Sequence, residues 1–135
     1  MKADTLKLFD EIRAGKFIPY TSEYVVQELE KTLYSDKRDK MMALIPDCKI
    51  TVLPENEHIK ALSDIYISEG IIPAKFATDS LHIATAVVAG LDFIVSLNFR
   101  HIVNHRTIIE TEFINAREGY RRVFIHIPAK VIDYA

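Results

Sequence analysis

With 135 residues and 49% apolar content, the chain is long enough to build one hydrophobic core, and a single domain over residues 1–135 is expected. A formal net charge of -2 and a pI near 6.2 exclude a globally basic polyanion binder, so any nucleic-acid contact must be local. The lone Cys48 excludes an intrachain disulfide framework and fits a reducing cytoplasm. The charged N-terminus, with no apolar run near the ~20 residues that span a bilayer, argues against export or membrane insertion.

In chain order, Leu6, Phe9 and Ile12 recur at helical spacing ahead of Gly15, which predicts a first helix with its C-cap. Phe17-Ile18-Pro19-Tyr20 is a short strand, with Pro19 pushing it to an edge or a strand end. Ser22 caps a helix whose inner face carries Val25, Val26, Leu29 and Leu33. A charged segment over 36–40 leads into Met41, Met42, Leu44 and Ile45, with Pro46 as the stop. Lys49 to Leu53 alternates as a strand. Ile59, Leu62, Ile65 and Tyr66 form the stripe of another helix, ended by Gly70. Thr78 caps a helix headed by Asp79 and closed by Gly90. A buried strand at Phe93 to Ser96 follows, then a helical segment through Ile109 and Ile114, and a last strand at Val123 to Ile127.

Strands separated by helices predict an α/β fold, a parallel sheet with helices on both faces, because parallel neighbours need a crossover. Ligands of such sheets gather at the carboxyl ends of the strands, where the Asp79 helix and the Ser96-Leu97-Asn98 turn should lie. Neither a G-x-G-x-x-G nor a P-loop pattern occurs. Glu28 borders the apolar face of its helix, where an unpaired charge is costly; it is either a flank residue reaching solvent or a functional acid. Asp79 suits the positive end of a helix dipole and equally suits a metal. His82, one turn on, reads as a satisfied core or supporting histidine rather than a ligand of a hard cation.

Ser22-Glu23-x-x-Val26-x-Glu28-Leu29, Asp79-Ser80-Leu81-His82-Ile83-Ala84, Val95-Ser96-Leu97-Asn98-Phe99-x-His101-Ile102-Val103-Asn104, and Gly119-Tyr120 with Ile127-Pro128 together resemble the PIN domain, most closely its VapC-type subset. The resemblance runs over nearly the whole chain in the right order. It implies a Mg2+- or Mn2+-dependent endoribonuclease, often the toxin half of a toxin–antitoxin pair, with RNA as substrate, an antitoxin as partner and a homodimeric state. Carried over, Glu28 and Asp79 match two of the family's metal-binding acids. Asn98 stands where many members place a further acid, and with Ser96 is expected to position water or phosphate. Arg100, His101 and Arg106 are candidates for RNA phosphate, against a plain reading as solvated basic residues.

Family members normally begin with a central strand carrying a first acid, in a pattern such as L-D-T-S, and this sequence starts directly in the helix that follows. Asp4, Asp10 and Glu11 fall on a helical pattern and are not assigned that role. A truncated reading frame is the expectation, ahead of a natural minimal variant or one completed by a partner strand. Two functional classes therefore stand: a metal-dependent ribonuclease, and a non-catalytic PIN-like RNA- or protein-binding module. A different α/β domain with a coincidental acid pair would hold Glu28 and Asp79 far apart.

Overall fold

The computed structural model describes residues 3–32, 34–95 and 105–126. Helix α1 (Ala3–Arg13) ends near Gly15, whose φ of +82° suits glycine at a helix end. Strand β1 (Tyr20–Ser22) runs straight into α2 (Glu23–Glu30), and the Val25 amide donates to Ser22 Oγ at 3.2 Å, so Ser22 ends one element and caps the next. Helix α3 (Ser35–Asp47), strand β2 (Thr51–Leu53), helix α4 (Glu57–Ser68) and helix α5 (Ala77–Val88) follow. The last elements are β3 (Phe93–Val95), α6 (His105–Arg117) and β4 (Phe124–His126).

Several expectations shift once these elements are in place. The strand expected at Phe17 to Tyr20 lies over Tyr20–Ser22, because Pro19 has no N–H and its carbonyl instead accepts from the Thr51 amide just ahead of the ladder. The charged segment after Ser35 is helical, and Pro46 sits in the last turn of α3 rather than stopping it, with Cys48 as the C-cap. Cys48 is buried, 4% exposed, as a small core residue. Thr78 is not the cap of α5: a 3-10 turn over Ala74–Phe76, opened by Pro73, brings the chain into helical geometry first, and Phe76 holds the cap position.

The fold is mixed α/β, and both strand pairs are parallel, as the alternation of elements required. They form two separate two-stranded sheets, β1 beside β2 and β3 beside β4, where one continuous sheet was expected. Helix α5 spans the break and contacts both β1 and β3. The main core lies where α4 packs along α5: Ile59, Leu62 and Tyr66 of α4 meet Ile83, Ala84 and Val87 of α5, with Ile94, Ile114 and Ile125 completing it. Between these helices Ser63 Oγ donates to Ser80 Oγ at 2.7 Å, and Ser80 Oγ donates to the Ser63 carbonyl at 3.1 Å. The Tyr66 hydroxyl donates to Asn115 Oδ1, which ties α4 to α6 and leaves neither buried group unsatisfied. No helix among the described residues is long and apolar enough to cross a membrane.

Candidate functional site

Glu28 and Asp79 come from different helices, and the structure brings their neighbourhoods together. α2 packs on α5, and Thr78 Oγ1, one residue before Asp79, donates to Glu28 Oε2 at 2.8 Å. This bond holds the Glu28 carboxylate over the first turn of α5, where Asp79 also sits. Glu28 is exposed and Asp79 half-buried, so Glu28 reaches solvent as its flank position allowed and still faces α5. The positive end of the α5 dipole stabilises a carboxylate in the first turn, where Asp79 stands.

Thr78 is the residue that sequence reasoning missed. Assigned to a cap, it instead bonds a carboxylate across a helix–helix contact. A hydroxyl beside an acid in the first turn of a helix is the only sequence signal for it.

His82 lies one turn into α5 from Asp79, as the spacing required. Its Nδ1 is shut off from solvent and has no hydrogen-bond partner, so the bond to a neighbour expected for it is not made by that atom. Burial lowers the His82 pKa below the ordinary 6.5, and the charge of Asp79 opposes that effect only in part. The sign of the consequence is definite. The folded state resists a proton that the unfolded chain accepts, so stability is full above about pH 6.5 and falls as the pH drops below it. Thermal midpoints measured between about pH 5 and 7 should fall towards acid, and His82→Gln should flatten that slope; an equal slope in the variant would remove His82 as its source.

On α2, the Glu23 carboxylate accepts from the Glu55 amide at 3.4 Å, and Gln27 Nε2 donates to Glu55 Oε1 at 3.1 Å. These bonds fix α2 against the chain after β2, and with it the direction in which Glu28 points. Tyr24, buried on the same helix, has a hydroxyl without a hydrogen-bond partner; its pKa is raised by burial first and by Glu55 and Glu23 second. Arg106, a candidate for phosphate, pairs with Glu110 at 3.0 Å on the exposed side of α6. Ser96, Asn98, Arg100 and His101 lie outside the described residues.

Among the described residues no group of three or more His, Cys, Asp or Glu side chains is gathered as a metal site. Two carboxylates nevertheless suit Mg2+, which is commonly held by one or two of them and completes its octahedron with water and substrate phosphate. No family model matches the chain, and neither a curated protein nor a solved structure matches it.

Proposed function

We propose that the chain is a PIN-type endoribonuclease that uses Mg2+ or Mn2+ to hydrolyse RNA phosphodiester bonds, working as a toxin held by an antitoxin protein. The observation that carries this reading is the hydrogen bond from Thr78 to Glu28, which ties Glu28 of α2 to the residue beside Asp79 at the head of α5. A second copy of the chain and a cytoplasmic setting belong to the same reading.

In this mechanism Glu28 and Asp79 would hold the cation through carboxylate oxygens, the donors that hard cations select. When bound, the cation lowers the pKa of water and neutralises charge building on the phosphate. The Thr78 hydroxyl holds one oxygen of the exposed Glu28 carboxylate, which restricts the rotamers that side chain samples. On the resemblance, Asn98 and Ser96 would orient water or a phosphate oxygen, and Arg100 and His101 would meet the RNA backbone; all four lie outside the described residues. The half-buried position of Asp79 limits competing water on one side of the site.

The second reading is a non-catalytic PIN-like module that binds RNA or protein. The absence of a third acid beside Glu28 and Asp79 among the described residues favours it, since fewer negative groups bind a divalent ion less well. Calorimetric titration with Mn2+ separates the two. The nuclease reading expects saturable binding that is lost in both Glu28→Gln and Asp79→Asn. No saturable binding by the unaltered chain would favour the module.

A further inference from the structure

The β3–β4 sheet has two unlike faces. Successive strand residues point to opposite sides, and Ile94 and Ile125, which face each other in the register, enter the core with Ile83 and Val87 of α5. Phe93, Phe124 and His126 therefore share the other side. Their rings form one cluster. Phe93 lies 6.2 Å from Phe124 and 5.6 Å from His126 between centroids, and Phe124 lies 5.9 Å from His126 with the planes only 14° apart. Arg122, two residues before Phe124, sets its guanidinium 4.5 Å from the Phe124 ring centroid. Phe124 is 39% exposed, so the row opens to solvent at its arginine end.

The chemistry of this row selects its occupant. Flat rings and a guanidinium plane, rather than branched aliphatic side chains, match a partner that presents flat π-systems in series. Single-stranded nucleic acid is such a partner, and sheets that bind it use outward aromatic side chains and arginine planes for stacking. Charge agrees with this choice. Arg121 and Arg122 stand at the amino end of the row, paired with Asp92 at 3.2 Å and with Glu112 at 3.0 Å. Exposed pairs of this kind contribute little and give way to phosphate. A chain of net charge -2 gains nothing from diffuse attraction to a polyanion, so the affinity has to come from the bases.

The row also leads towards the acids. Helix α5 returns through Gly90 into β3 and packs against it, so the two run in opposite senses and the head of α5 lies towards the carboxyl end of β3. His126 pairs with Val95 at that end, and Val95 and Asp79 line one cavity of about 970 Å3 between the two sheets. We propose that Phe93, Phe124 and His126 form a base-stacking row for single-stranded RNA, with Arg121 and Arg122 on its phosphates, that guides the strand towards Glu28 and Asp79. This role rests on RNA as the substrate named under the proposed function. Bases inside a double helix are already stacked on one another, so the row accepts unpaired RNA and not duplex.

The test measures binding of the full chain, by fluorescence anisotropy in EDTA, to a labelled mixed-sequence single-stranded RNA of about ten nucleotides. A ribose-phosphate strand of the same length without bases, and a duplex of the same sequence, serve as competitors. Phe124→Leu should weaken binding by ~5- to 100-fold, the worth of one stacked base, while Phe124→Tyr keeps the ring and binds as the unaltered protein does. The strand without bases and the duplex should both compete poorly. Unchanged affinity in Phe124→Leu would overturn the proposal, as would an equal loss in Phe124→Tyr or full competition by the strand without bases. A dimer that Phe124→Leu dissociates without touching RNA affinity would assign the row to a second copy and overturn it too. Absence of RNA binding by the unaltered chain would overturn both the row and the substrate. Binding that depends on Phe124 without any cleavage in Mn2+ would sink the nuclease reading alone, so the two failures are separate results.

Discussion

Replacing Asp79 by asparagine should slow Mn2+-dependent cleavage of a labelled single-stranded RNA by ~10²–10³-fold, the scale of losing one preorganised electrostatic group in an active site. Stability should change far less. Asp79 lies in the first turn of α5, where a carboxylate contributes no more than ~1 kcal/mol through the helix dipole. The gap between a large kinetic loss and a small thermal one is what distinguishes a metal-holding acid from a dipole partner. Cleavage at the unaltered rate by a folded Asp79→Asn protein would reduce Asp79 to the second role. Under the same scheme Thr78→Val loses the hydroxyl that anchors Glu28, and cleavage should fall by about 10-fold or more, as for supporting residues around metal sites.

Leu62→Ala should cost ~2–5 kcal/mol, read as a shift of the urea midpoint with an unchanged slope. Leu62 is 2% exposed and lies in the α4–α5 contact beside Tyr66, which is fully buried. Removal of its branched end leaves a hole whose walls are two helices already fixed by the Ser63–Ser80 bonds, so relaxation is limited. Domains of this size have a total stability of about 5–15 kcal/mol, so the variant should be partly unfolded under mild conditions. A cost below about 1 kcal/mol would show that the two helices close over the space and that the core is less rigid than its burial suggests.

Helices were the legible part of this chain. The stripe Ile59, Leu62, Ile65 and Tyr66 predicted α4, and Ile59, Leu62 and Tyr66 are buried in it. Strands were harder because each is only three residues long, too short for alternation to fix its ends. In α2 the pattern named Val25, Val26, Leu29 and Leu33 as inner residues; Leu33 lies outside the described residues, and of α2 itself Tyr24 is the buried one. Val25, Val26 and Leu29 line the cavity between the sheets and are only partly buried. The site was legible as residue types, with Glu28 and Asp79 both marked from their positions. The contact of Glu28 with Thr78 was not, since it depends on α2 packing against α5 and on a hydroxyl that the sequence pattern had assigned to capping. The expectations for Ser96, Asn98, Arg100 and His101 fall outside the described residues. The order of elements states which strands are parallel but not which are neighbours, and a gap in the sheet was expected only through the resemblance, whose central first strand this sequence lacks.

The paired hydroxyls of Ser63 and Ser80 act as a key between α4 and α5. Ser80 follows Asp79 directly, so the one axial setting that satisfies both buried oxygens also fixes the height of Asp79 along its helix. A slip of α5 by one turn, ~5.4 Å, would strand two polar groups in an apolar contact and carry the carboxylate away from Glu28. Asp79 is therefore indexed from within the core, by a joint that touches no solvent.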